Sequence, residues 1–313
     1  MESFLVAVNA VIPFLFYITF GYVMKIRGVV EEDFLQRLNK MVFRLMYPFM
    51  TFYNIYKADA ESLPRPILLI FAGASILILE VILVLVIPRI VKENARRGVI
   101  IQAIFRSNFV LFGLPLTISV FGDGASSVAA MLVTVVVSIY NVTSVVILEM
   151  FNVNGKTSFK SIALNVVKNP LLQGACVGLL FFLLGIQLPK SIVTPVAAFA
   201  DMTSPLALFV LGGTLHFDAI HDNLKYLVPV LSFKLFALPA IMVAIAYALG
   251  MRGLELFLLI AVYGTPVAAA SYPMAQNMGG DGELAGQFVV ISTVVAVLTL
   301  FLWIFFMKAV GLI

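Results

Sequence analysis

Apolar residues dominate this chain in ten runs, each near the roughly 20 helical residues that cross a hydrocarbon core of about 30 Å. The runs are Ser3–Met24, Leu35–Tyr56, Ile67–Val91, Val99–Phe121, Ser126–Phe151, Asn169–Leu188, Ile192–Leu215, Tyr226–Leu249, Leu254–Met278 and Leu284–Val310. Polar residues gather in short stretches between them. The longest, Asn152–Lys168, predicts an interfacial helix in its second part. The pattern predicts an all-α membrane protein with ten transmembrane helices.

Glycine and proline punctuate the runs with a period. Pro13, Gly21, Gly28 and Pro48 recur, 157 residues later, as Pro170, Gly178, Gly185 and Pro205. Gly113-Leu-Pro115 recurs as Gly264-Thr-Pro266, and Gly122-Asp-Gly124 as Gly280-Asp-Gly282. Such self-similarity predicts a duplicated unit. Residues 1–151 form the first unit with spans one to five, 152–168 a short cytoplasmic linker, and 169–313 the second unit with spans six to ten. Five is odd, so the second unit enters the membrane from the opposite side. The expected fold is two inverted five-helix repeats, a common transporter architecture.

Composition narrows the picture. Of 313 residues 62% are hydrophobic and 12% charged, against about 25% charged in soluble domains, and mean hydropathy is +1.09. So few charges exclude a soluble enzyme. The lone Cys176 lies in an apolar run and reads as a buried, inert thiol; His216 and His221 share a polar loop without a cysteine and indicate no metal site. The net charge of +4 reads as topology rather than nucleic-acid binding. Lys25, Arg27, Arg89, Lys92, Arg96, Arg97, Lys156, Lys160, Lys168 and Lys225 fall in the odd-numbered loops, and Lys57, Arg65, Lys190, Arg252 and Lys308 on the other side. That bias puts the odd loops in the cytoplasm and both termini outside.

Candidate chemistry sits at mid-membrane. The Gly-x-Pro motifs of spans four and nine are expected to break both helices, because proline removes a donor and crowds the preceding turn while glycine permits other torsions. A half-helix starting at each proline would turn free N–H groups and a positive dipole end toward the break, which suits a carboxylate or another small anion. Gly113, Pro115, Gly264, Thr265 and Pro266 are therefore candidate substrate residues, with the amides Asn108, Asn141 and Gln276. Ionisable groups at depth default to function. Lys234 is a further binding candidate and Glu80, near an equivalent position in the other repeat, a candidate coupling group; the two could instead pair. Arg106 and Asp201 are candidate coupling or gating groups. No cofactor is expected, and the coupling ion, H+ or Na+, stays open.

These residues resemble the auxin efflux carrier family. The likeness rests on Asn108-x-x-x-x-Gly-x-Pro115, Ser204-Pro-Leu-Ala-Leu-x-x-Leu-Gly212, Lys234-x-x-x-x-Pro239, and Ala275-Gln276 followed by Gly-Asp-Gly. It spans essentially the whole chain. It implies crossing broken helices four and nine, a scaffold and a moving transport domain, and a carrier rather than an enzyme. Plant members export an indole carboxylate hormone, and prokaryotic relatives are associated with small carboxylates such as malonate. The chain lacks the plant exporters' long loop between spans five and six, which favours a carrier of the inner membrane of a prokaryote. The partners expected are a small organic anion, the lipid bilayer and a second copy in a homodimer, with no nucleic acid. A cation–proton antiporter of the same architecture and a non-transporting receptor are the alternatives.

Overall fold

The computed structural model describes residues 2–57, 65–152, 159–215 and 220–313; Lys156 and His216 lie outside them. The described chain is all-helical. The first half contains α1 (Glu2–Ile26), α2 (Glu32–Met41), α3 (Tyr47–Tyr56), α4 (Pro66–Ile90), α5 (Asn94–Phe105), α6 (Leu114–Phe121) and α7 (Ser126–Met150). After α8 (Phe159–Lys168), where an interfacial helix was expected, come α9 (Pro170–Leu184), α10 (Lys190–Thr214), α11 (Ile220–Ser232), α12 (Leu238–Ala248), α13 (Leu254–Gly264), α14 (Ser271–Asn277) and α15 (Gly282–Ala309). Each predicted run falls on one helix or on two consecutive ones. Among the described residues, five helical segments are long and apolar enough to cross a membrane, and the other apolar helices are shorter.

Three π-helical turns, Val42–Met46, Phe109–Gly113 and Phe233–Ala237, interrupt the helical runs. Each ends two residues before a proline: Pro48, Pro115 and Pro239. A proline ring crowds the carbonyl four residues back and cannot donate to it. A wider turn relieves that conflict without ending the helix. The carbonyl freed by Pro239 belongs to Leu235, and it accepts a hydrogen bond from the Trp303 indole of α15 at 2.9 Å.

Here the structure corrects the expected break in span four. Gly113 has ordinary helical torsions (φ −68°, ψ −44°), and Pro115 is the second residue of α6. The chain instead leaves the helix at Arg106–Asn108. Gly113 is needed for space: a Cβ there would lie 2.1 Å from the ring of Phe109 and 3.1 Å from Ala261. Phe109 is fully buried, so it has little room to yield. Gly113→Ala is expected to cost about 1–3 kcal/mol by overpacking, read as a lower unfolding temperature; an unchanged transition would refute the tight fit. In span nine the break does fall at Gly264-Thr-Pro266, since Thr265 is extended. The next helix begins at Ser271, not at Pro266.

The helices pack as two bundles. α1, α3, α9 and α10 pack closely together, and α4–α7 pack with α11–α15; α1 also touches α6 and α15. The first bundle is held at glycines. A Cβ on Gly21 would fall 1.9 Å from the carbonyl oxygen of Phe209, and one on Gly178 2.8 Å from that of Phe52. These helix backbones therefore touch, as small residues allow in lipid, where close packing drives association. Gly174 faces Pro48 and Thr51 in the same way. This orientation of α9 explains a second correction. Cys176 lies two residues round the helix from Gly174 and is exposed, not buried. Gly28 and Gly185 each follow a helix with a left-handed φ, +68° and +61°, a conformation in which a Cβ is strained.

Candidate functional site

The two breaks meet. Ser107 and Val267 form an isolated antiparallel bridge. The Asn108 N–H donates to the Pro266 carbonyl at 2.8 Å, and the Ala268 N–H to the Arg106 carbonyl at 3.3 Å. The Val267 N–H donates to Ser292 Oγ at 3.0 Å. Unwound backbone at membrane depth is tolerated where protein or a cavity satisfies it. Here the crossing segments satisfy each other, with help from α15.

A cavity of about 400 Å³ lies against the crossing, between the two bundles. The second bundle contributes Arg106–Leu111, Ala268–Ala270, and Val137, Tyr140 and Asn141 of α7. The first bundle contributes residues of α1, α3 and α10, including Tyr47, Asn54, Asp201 and Ser204. Lys57, Pro13 and Asp201 are its exposed lining residues. The cavity therefore opens on the side where α3 ends.

Arg106 gives the cavity its character. It is buried, and its guanidinium donates to Asn141 Oδ1 at 2.9 Å and to the Met274 sulfur. No ion pair to it exists among the described residues. The helical segment that begins at Phe109 presents its first turn to the same space, and first-turn N–H groups lack intrahelical acceptors. The buried Tyr47 hydroxyl, also in the lining, has no hydrogen-bond partner among the described residues.

Arg106, Asn108, Asn141 and Asp201 are thus brought together. The other candidates lie elsewhere. Lys234 is fully buried behind the crossing, and its ammonium donates to Ser107 Oγ. Glu80 accepts from the Thr143 hydroxyl at 2.6 Å. No ion pair joins Lys234 to Glu80 among the described residues. Thr265 turns its hydroxyl back to the Ala261 carbonyl at 2.8 Å. Gly264 packs near Pro239, and Pro266 contributes its carbonyl to the crossing rather than to the cavity. Gly113 and Pro115 sit beyond the lining.

Gln276 lines a second cavity of about 280 Å³, with Glu32, Asn39, Lys40 and Glu283. Tyr272 and Thr214 also line it, and their hydroxyls lie 2.6 Å apart, closing α14 onto α10. Sequence reasoning passed over Tyr47, Ser107 and Tyr140. A tyrosine beside a mid-span proline was the available signal for Tyr47.

A cationic cavity at crossing, broken helices, set between two bundles of apolar helices, defines an integral membrane transporter rather than an enzyme. Residues 6–304 match the family described as membrane transport protein, and the chain belongs to this auxin efflux carrier-type family. An uncharacterized transporter of Methanothermobacter thermautotrophicus is 23% identical over 305 residues, covering 96% of this chain and 98% of the relative. An uncharacterized transporter of Methanocaldococcus jannaschii is 22% identical over 309 residues, with the same coverage of 96% and 98%.

Proposed function

We propose that the protein is a secondary carrier for a small organic anion bearing a carboxylate. The observation that carries this reading is the buried Arg106 guanidinium, without a carboxylate partner among the described residues, facing a cavity shared with the first turn of a half-helix. A charge at depth needs compensation, and an incoming carboxylate supplies it. Asn108, Asn141 and Tyr47 would orient the anion. Lys234 touches the crossing from behind, through the Ser107 hydroxyl.

The inverted repeat and alternating access belong to the same proposal. Gly21 and Phe52, shifted by 157, become Gly178 and Phe209. The contacts Gly21–Phe209 and Gly178–Phe52 are then one contact made twice, and the caps Gly28 and Gly185 match likewise. The first bundle would be the frame, and the bundle with the crossing would move. With the odd loops in the cytoplasm of a prokaryotic cell, the cavity faces outward and the Tyr272–Thr214 contact closes the inner side.

Thermal stabilisation of the purified protein by acetate, malonate and indole-3-acetate, against the matching amides, tests the anion reading. Carboxylates are expected to stabilise and amides not. The antiporter alternative needs acidic groups at the crossing, and Asp201 is the one carboxylate in the described lining. Stabilisation by sodium alone would favour that alternative.

A further inference from the structure

A third cavity, of about 440 Å³, lies away from the crossing. Arg44 of the first π turn, Lys168 and Asn165 of α8, and Asn169 and Pro170 at the start of α9 line it, together with Glu149 of α7 and the end of α14. Arg44 and Lys168 are exposed and have no ion pair among the described residues. Glu149 is already engaged, accepting from Asn165 Nδ2 at 3.0 Å. The positive end of α9 meets the negative ends of α8 and α14 here, and these helix dipoles offset one another. Two exposed cations against the single carboxylate of Glu149 leave one net positive charge in the lining, which suits one anionic group.

The surroundings say where that group comes from. Leu164 and Val167, on α8 beside Asn165 and Lys168, are 51% and 70% exposed, and Leu45, next to Arg44, is 59% exposed. Large apolar side chains beside free cations suit the boundary between acyl chains and headgroups, where amphipathic helices lie. The site also falls on the side to which the lysine and arginine bias assigns the cytoplasm.

We propose that this cavity holds the phosphodiester headgroup of one anionic glycerophospholipid. Arg44 and Lys168 bind the phosphate, Asn169 borders it, and the acyl chains run past Leu45, Leu164 and Val167. Asn277 and Met278, at the end of α14, also line the cavity, so the lipid touches both bundles.

Native mass spectrometry of the full chain, in detergent with equal phosphatidylglycerol and phosphatidylcholine, tests the site. One phosphatidylglycerol is expected to be retained in preference. Arg44→Gln with Lys168→Gln should weaken that retention about thirtyfold, near 1 kcal/mol for each cation. Both side chains are exposed, so the double variant should unfold at the wild-type temperature without lipid. Glu149→Gln should retain at least as much. Equal retention of the two lipids, or undiminished retention by the double variant, would overturn the proposal. Displacement by millimolar glycerol 3-phosphate would also overturn it, identifying a site for a free anion. None of these outcomes depends on the carried substrate.

Discussion

An Arg106→Gln protein is expected to fold and to lose carboxylate binding almost entirely. The guanidinium is the one buried cation lining the main cavity among the described residues. Truncating one member of a buried, hydrogen-bonded charge pair typically costs 2–5 kcal/mol, about 30- to 4,000-fold in affinity. Folding should survive, because the lost contacts are one bond to Asn141 and one to a thioether. Arg106→Lys keeps the charge but loses the fork that can hold a carboxylate with two parallel bonds, so its affinity should fall between the two. The measurement is the affinity of whichever carboxylate best stabilises the wild type. Undiminished binding by Arg106→Gln would move the site away from the crossing.

The site was legible in sequence where it depended on charge and amide groups at depth. Arg106, Asn108 and Asn141 stand out in apolar runs because their burial needs a reason. Tyr47 and Tyr140 do not, since a tyrosine in a membrane helix is usually packing. Lys234 stood out equally, yet it lies behind the crossing. Its place behind the crossing is set by the register of α11 and of the Phe233–Ala237 turn against α5, which no local pattern encodes. Gln276 shows the same limit: it lies in span nine, beyond the crossing, and lines a different cavity from Arg106.

The helices were legible nearly throughout, and their interruptions only in part. Proline marks conflict with a helix but not its resolution. At Pro48, Pro115 and Pro239 the conflict ends in a π turn, whereas at Pro266 it ends in extended chain. The freed carbonyls find tertiary donors in both outcomes, Leu235 from the Trp303 indole and Val262 from the Tyr140 hydroxyl at 3.4 Å. At Pro266 the extended backbone is in addition paired across the crossing, its carbonyl accepting from the Asn108 N–H. The likeness of Gly113-Leu-Pro115 to Gly264-Thr-Pro266 was therefore one of composition, not of position relative to the crossing.

The matched Gly21 and Gly178 were a better guide, and substituting glycines at these backbone contacts, the unmatched Gly212 included, should damage the first bundle most. Gly21→Ala places a methyl 1.9 Å from the Phe209 carbonyl oxygen, and Gly212→Ala places one 1.9 Å from that of Ile18. Backbone cannot yield as a side-chain tip does, so α1 and α10 must separate along their contact. Each change is expected to cost about 3 kcal/mol, the upper end of ordinary overpacking. Gly178→Ala meets the Phe52 carbonyl at 2.8 Å and should cost less, about 1 kcal/mol. Thermal unfolding in detergent gives the order: Gly21→Ala and Gly212→Ala lowest, Gly178→Ala between them and wild type. α1 and α10 both line the cavity, so the surviving folded fraction of Gly21→Ala and of Gly212→Ala should also bind carboxylate more weakly, whereas Gly178→Ala, on α9, which does not line it, should bind with wild-type affinity. A Gly21→Ala protein as stable as wild type would mean that the close approach of α1 and α10 is not what holds the frame. Weakened binding by Gly178→Ala as well would mean that the packing of α9 on α3 also shapes the site.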